Sequence, residues 1–422
     1  MPQIINTFEH RALKSGAGLS QKQLEALQKY YGSNGTPFYS LIHNGIKFNS
    51  FVGVIQIGTL IINVLPKIDN TEDDDASKTK WRNILIGMLK TVKNFELQVS
   101  SSSLLNIKEN YILDIYFELF IKEVEYLLHN GLYKKYNYIE SNSKALKGKI
   151  LFSKNINKNI VHKERFFVRR MEYNYNHIAH KIIYKTLKLL HAINNNNSLN
   201  SRISNLMLNF PEVEDIKVSK QLFDKLILGR KLQAYKKAIN ISKMLLLNFH
   251  PDITRGQNDV LALMFDMNIL WEEFVYTTLK KNLDNEFKIS RQINKNFWNP
   301  DNGGQVSRIR PDILIENGNE RYIIDTKWKK FDGKNPSVED LRQLYVYHKY
   351  FNADKVSIVH PGMEKIVKGK YYDIDNNNRL KEECSIISIP IKNTIGELQK
   401  EIKKAIFDEW IYYKKEEYAI DW

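Results

Sequence analysis

The chain has 422 residues, 43% hydrophobic and 12% aromatic, enough to bury cores in two or three domains and too much for a disordered chain. Its 63 Lys and Arg outnumber 48 Asp and Glu, and the net charge of +15 suits a polyanionic partner, although an Asn-, Ile- and Lys-rich composition also raises lysine without any function. A single cysteine, Cys384, excludes a disulfide framework or a cysteine-rich zinc site, and neither a leader, a long apolar run nor a G-x-x-x-x-G-K-[ST] loop occurs, so a cytoplasmic protein without membrane span or P-loop is expected.

Residues 1 to about 105 read as mixed α/β. Ser20 is placed to cap a short helix from Gln21 to about Tyr31. Residues 46–57 and 60–66 form a hairpin around Gly58-Thr59, and the second arm is apolar on both faces, as a buried strand is. The polar run 71–80 reads as a solvated loop and 81–91 as a helix. Residues 111–130 carry Leu113, Phe117, Phe120, Ile121, Val124, Leu127 and Leu128 on one stripe, an amphipathic helix that Gly131 ends. Residues 133–151 are aromatic, basic and loop-like, a domain junction. A basic strand at 165–170 precedes a helix with Ile178, Ile182, Ile183, Leu187 and Leu190 on one side. A loop at 194–198 follows, then helical patterns to about 247. Interleaved bases and aromatics here suit DNA contact or, more plainly, a solvated helical face. Residues 261–282 read as a second amphipathic helix, which carries Glu272 and Glu273. A strand and turn at 288–299 come next.

The stretch from Arg308 to Lys329 holds two β-patterned runs around Asn317-Gly318, a strong hairpin signal. Pro311-Asp312 lies on the first run and Asp325-Thr326-Lys327 on the second. Side chains two apart on a strand share a face, so Asp325 and Lys327 project together while Thr326 points away. A two-residue loop at 317–318 would pair Asp312 with Ile323 and leave Asp325 a diagonal neighbour. A four-residue loop at 317–320 would set Asp312 directly opposite Asp325, and a three-residue loop would separate their faces unless a bulge intervened. Two carboxylates about 5–8 Å apart at Cβ, with a lysine beside them, suit a hard divalent cation and phosphodiester cleavage. A bare D-x-K is by itself ordinary surface charge. Beyond it, 338–350 reads as a helix with Gln343 and Tyr347 on one face, and 355–360 as a strand closed by Pro361-Gly362.

An apolar strand ending in Asp325-Thr326-Lys327, after a strand bearing Pro311-Asp312, resembles the PD-(D/E)xK nuclease superfamily, whose core runs α, β, β, β, α, β. A wider set of blocks resembles the McrC family, the nuclease subunit of McrBC modification-dependent restriction systems. These are Gly53 to Lys67 (ending Val64-Leu65-Pro66-Lys67), Arg169-Arg170-Met171-Glu172-Tyr173, Asp266-Met267-Asn268 with Trp271-Glu272, Arg310-Pro311-Asp312-Ile313, Ile324-Asp325-Thr326-Lys327-Trp328-Lys329, and Gln343-Leu344-Tyr345-Val346-Tyr347. Trp271 and Trp328 stand where Phe and Tyr are more usual.

The resemblance implies Asp312 and Asp325 as metal ligands, joined by the Thr326 backbone carbonyl, and Lys327 as the catalytic lysine. It implies Glu272 as accessory ligand or nearby acid, with Glu273 competing for that role, and Gln343 and Tyr347 as residues that contact DNA or orient the lysine. The implied cofactor is Mg²⁺, with Mn²⁺ as substitute. The implied partners are double-stranded DNA and a McrB-like AAA+ GTPase ring, whose hydrolysis the N-terminal part stimulates. The expected fold class is multi-domain α/β: an N-terminal mixed α/β domain at 1–150, a mostly helical region at 151–250, and a restriction-endonuclease-like α/β domain at 251–422. Two other readings are a regulatory subunit with a vestigial nuclease fold and a RecB-like nuclease working without a GTPase. The intact Asp312, Asp325 and Lys327 weigh against a vestigial site.

Overall fold

The structure is a computed structural model that describes residues 3–16, 18–32, 35–68, 74–92, 112–250, 259–281, 286–331, 335–373 and 378–412. Residues 71–73, 93–105, Tyr111 and Asn282, which bear on several sequence expectations, lie outside the described residues. The chain forms two compact units, and neither is one continuous segment. One comprises residues 1–4, 54–61 and 99–263; the other comprises 5–53, 62–98 and 264–422. The division therefore does not follow three consecutive parts at 1–150, 151–250 and 251–422. Among the described residues the chain passes from one unit to the other inside strands Gln3–Phe8, Phe51–Ile57, Leu60–Leu65 and Val260–Asp266; the remaining passage, at 98–99, lies outside them. Mixed α/β class holds for the whole.

In the first unit, helix Ile112–His129 buries the expected stripe except for the half-buried Leu128, and Gly131 ends it at φ +82 with its N–H on the Leu128 carbonyl. The stretch expected to be loop-like is mostly strand: Lys135–Ser143 pairs antiparallel with Phe166–Asn174 over nine residues. Its alternating tyrosines were a period-2 signal hidden by the polar residues between them. Helix Asn197–Asn209 starts early because the Asn196 side chain accepts from the Ser198 N–H, which shortens the expected loop.

In the second unit, Ser20 and Gln23 exchange side-chain-to-backbone hydrogen bonds of 3.3 and 2.8 Å and start helix Gln21–Tyr31 as expected. The run 46–57 is interrupted at Asn49-Ser50, because Gly45–Phe48 belongs to a small sheet with Ala12–Lys14 and Tyr39–Ile42. Phe51–Ile57 and Leu60–Leu65, each divided between the two units, are neighbouring strands, as the Gly58-Thr59 turn implied, and the second is buried at every position. Part of the expected polar loop is helical: Asp74 accepts from the Ser77 N–H at 2.7 Å and opens helix Asp75–Thr91. Aspartates at a helix N-terminus are capping groups, not loop markers.

The candidate site grows from the last part of this unit. The expected helix from 261 begins only at Met267, since Val260–Asp266 is a strand; helix α1 is Met267–Lys281. An apolar run without clear period does not distinguish the two. Then come β1 (Lys288–Arg291), β2 (Ile313–Asn317), β3 (Glu320–Thr326), α2 (Val338–Phe351), β4 (Lys355–Pro361), β5 (Lys365–Tyr372) and β6 (Arg379–Ile389). The order α, β, β, β, α, β is present, with a small antiparallel pair (Lys295–Trp298 and Ser307–Ile309) inserted and two further strands added. The sheet runs β1-β2-β3-β4-β6-β5, parallel at β3/β4 and β4/β6. Helix α2 buries Leu344, Tyr347 and Phe351 against Leu314, Ile323, Val356 and Ile358.

The β2–β3 hairpin sets the geometry of everything after it. Asn317 pairs with Glu320, so the turn is Gly318-Asn319, one residue later than Asn317-Gly318. Gly318 holds φ +59 at its first position, where a side chain is disfavoured. Ile313 pairs with Ile324, and continuing one residue sets position 312 opposite 325, the register that a longer loop had been expected to require. Gly318→Ala should lower the unfolding free energy by about 1–2 kcal/mol, measured by urea titration. An unchanged midpoint would contradict this account of the turn.

Candidate active site

The parity of β2 and β3 puts Asp312 and Leu314 with Ile323 and Asp325 on the face that α2 covers, so the apolar cluster ends in two carboxylates. Asp325 is 3% exposed. Its Oδ2 pairs with Lys327 Nζ at 3.0 Å, and its Oδ1 accepts from Gln343 Nε2 at 3.3 Å. Gln343 also donates to Tyr347 Oη at 2.6 Å, and Tyr347 in turn donates to the Arg310 carbonyl at 3.0 Å. The i, i+4 spacing of Gln343 and Tyr347 thus ties α2 to both the Asp325 carboxylate and the backbone just before Asp312.

Asp312 Oδ2 accepts from the Thr326 N–H at 2.6 Å and from Thr326 Oγ1 at 2.8 Å. Thr326 therefore does not simply turn away from the site: it serves Asp312 with its N–H and hydroxyl, while its carbonyl was the group expected to matter. Among the described residues no hydrogen bond falls on Asp312 Oδ1.

The electrostatics follow from burial. Desolvation raises both aspartates above the ordinary carboxylate range, and the Asp312 charge raises Asp325 further. Lys327 is partly buried, which works against its charge. Asp325, Asp340 and Asp312 outweigh that and hold it above the ordinary lysine value, so it is an ammonium at neutral pH.

On α1, Glu272 and Glu273 part company. Glu273 forms an ion pair with Arg291, while Glu272 accepts from Gln292 Nε2 at 2.8 Å. Burial first, and then the Asp312 charge, push Glu272 up to about 7, so Glu272 is the helix carboxylate that senses the site. It does not join the aspartates in a ligand group: among the described residues no three His, Cys, Asp or Glu side chains stand close enough together to hold a metal ion.

Two residues of the site escaped the sequence reading. Gln292 sits at φ +50, donates its backbone N–H to the Asp312 carbonyl at 3.0 Å, and holds Glu272 through its side chain. A non-glycine residue in that region costs on the order of 1–3 kcal/mol, and nothing in a sequence announces it. Asp340 lies 3.8 Å from Lys327 Nζ and 2.7 Å from Lys329 Nζ. Its signal was available, because Asp340, Gln343 and Tyr347 stand at i, i+3 and i+7 of one helical face.

A family model described as McrBC 5-methylcytosine restriction system component matches residues 46–361. The chain belongs to this family. A type IV methyl-directed restriction enzyme of Escherichia coli (strain K12), EcoKMcrBC, is 23% identical over 304 residues, which span 67% of this chain and 86% of that relative. A refined half-complex from a tetradecameric assembly of Thermococcus gammatolerans McrB AAA+ hexamers with bound McrC is similar in fold, at TM-score 0.68 and 18% identity, over 96% of this chain and 100% of that one. The McrC-family resemblance read from the ordered sequence blocks is thereby borne out. No helix among the described residues is long and apolar enough to cross a membrane.

The paired carboxylates carry a stability cost with a definite pH dependence. A carboxyl whose folded pKa is raised destabilises the fold above that pKa, and the penalty vanishes below the unfolded value near 3.9. Asp325→Asn should therefore raise the melting temperature at pH 8, by about 2–4 °C for each kcal/mol relieved. The gain should shrink to nothing as the pH falls to the ordinary aspartate range. A variant less stable than the parent at pH 8 would show that the Lys327 pair outweighs desolvation.

Proposed function

We propose that the chain is the metal-dependent DNA endonuclease subunit of a McrBC-like, modification-dependent restriction system, with a PD-(D/E)xK site. The observation that carries the reading is the juxtaposition of Asp312 and Asp325 across β2 and β3, with Lys327 and Gln343 on the second carboxylate. Family membership and the net charge of +15 support it.

The donor set fits Mg²⁺, or Mn²⁺ in its place. It is oxygen-only and doubly anionic, and burial, with the Asp312 charge acting on Asp325, raises its carboxylates above their usual pKa in spite of Lys327. Asp312 and Asp325 would hold the ion, with Glu272 as an acid beside them. When bound, the ion supplies Lewis acidity toward the scissile phosphate and a lowered pKa for its water. The protein's own groups do the rest. Lys327, kept as an ammonium by Asp325 and Asp340, offers positive charge to the phosphate oxygens. Gln343 fixes the orientation of the Asp325 carboxylate, and Tyr347 fixes Gln343.

A nuclease of this kind needs restraint, since net positive charge gives phosphate affinity without sequence selectivity. The E. coli relative is methyl-directed, and the T. gammatolerans McrC is bound to McrB AAA+ hexamers. We assign the same arrangement to this chain: a McrB-like AAA+ GTPase ring as partner, its hydrolysis stimulated by this subunit, and double-stranded DNA as substrate.

With partner and Mg²⁺ present, Asp325→Ala should cut DNA at least about 100- to 1,000-fold more slowly while stimulating GTP hydrolysis as the parent does. Lys327→Ala should lose a similar factor in rate and still bind Mg²⁺. Cleavage within a few-fold of the parent in either variant would reject the site. Loss of GTPase stimulation together with cleavage in Asp325→Ala would reject the division of roles.

A further inference from the structure

Glu9 is a carboxylate in an unexpected place. It lies just beyond strand Gln3–Phe8, is 5% exposed, and takes no part in the chemistry above. Its Oε1 accepts from Trp328 Nε1 at 2.8 Å and from the Lys67 backbone N–H at 3.1 Å. Its Oε2 is buried with no hydrogen-bond partner among the described residues, and His10 Nε2 stands 3.8 Å from it. Burial, opposed by those two hydrogen bonds and abetted by Asp266, pushes its carboxyl up to about 7. An ionisable group so placed is costly, and a core of apolar residues would not need it.

What it holds leads to Lys327. Trp328 follows Lys327 directly, and its ring lies 5.4 Å from that of Trp271 and 6.5 Å from that of Trp81. Trp271 Nε1 donates to the Val359 carbonyl at 3.3 Å, and the same carbonyl accepts the Lys327 backbone N–H at 3.0 Å. The backbone of Lys327 is thus fixed on β4, and the next side chain is fixed by a carboxylate 319 residues away in sequence. Lys67, Asp266 and Trp271, to which the nuclease chemistry gives no role, all converge on this carboxyl or on the ring that it holds.

We infer that Glu9 is a positioning residue for Lys327, holding the Trp328 indole so that the end of β3 presents the Lys327 ammonium to Asp325. The effect on cleavage rests on the nuclease reading; the positioning itself does not. Three variants of the full-length chain separate the possibilities. Glu9→Ala removes the acceptor, Glu9→Gln keeps it for both donors, and Trp328→Phe keeps an aromatic ring while removing the N–H together with the five-membered half of the indole.

Hydrogen exchange read by mass spectrometry should speed up about tenfold or more in the peptide 320–331 for Glu9→Ala and Trp328→Phe. It should match the parent for Glu9→Gln, and helix 21–31 should be unaffected in all three. In cleavage assays with partner and Mg²⁺, kcat should fall about 10- to 100-fold in Glu9→Ala and Trp328→Phe with KM for DNA unchanged, and Glu9→Gln should restore it. The Glu9→Ala, Trp328→Phe double variant should lose no more than either single change. Unchanged exchange at 320–331, equal acceleration in helix 21–31, or an unchanged kcat would overturn the proposal. If the parent cleaves no faster than Asp325→Ala, the nuclease reading fails, and the exchange data still decide whether Glu9 positions Lys327.

Discussion

Asp312 and Asp325 face each other across the ends of two paired strands, at a place where the apolar cluster under α2 has excluded most water. Two like charges so placed repel and are poorly solvated, and the surrounding residues read as partial compensation. Thr326 gives two donors to Asp312, Gln343 gives one to Asp325, and Lys327 supplies a positive charge. Compensation stops short, since both carboxyls remain above their ordinary range. A site that retains a deficit of positive charge is suited to a cation and to the phosphate that comes with it.

That arrangement depends on register, and register depends on few residues. A one-residue slip between β2 and β3 would send Asp312 to the opposite face. The Gly318-Asn319 turn, the continuous pairing from Ile313 to Asn317, and the parallel pairing of β3 with β4 each oppose a slip. The Lys327 N–H on Val359 and the indoles of Trp271 and Trp328 extend the same restraint past the strand end. Rigid support immediately beside charged groups lets the hydrogen bonds be set before substrate arrives.

Much of this was legible in the sequence where a single period governs. Asp325 and Lys327 share a face because strands repeat every two residues, and Gln343 and Tyr347 share one because helices repeat every four. Ser20, Gly131 and the Gly58-Thr59 turn carry local chemistry that no tertiary contact overrides, and Asn317-Gly318 marks a hairpin whose turn falls one residue later, at Gly318-Asn319. The failures have equally local causes. Residues 261–266 are apolar without a period that separates strand from helix, and Asp74 and Asp75 read as loop because their capping role needs the helix behind them. Gln292 and Glu9 were not legible at all. One depends on a left-handed backbone and the other on a partner 319 residues distant, so neither leaves a mark on its own neighbourhood in the chain. The interleaved units have the same origin, since strands such as Leu60–Leu65 look alike whichever compact body their halves join.

The claim on which the account turns is that the two aspartates share one divalent cation. Anomalous diffraction from crystals of the full-length chain soaked in Mn²⁺ tests it directly. The expected result is a peak beside the Asp312 and Asp325 carboxylates, absent from crystals of Asp325→Asn. No peak between them, or a peak held by other residues while that position stays empty, would contradict it.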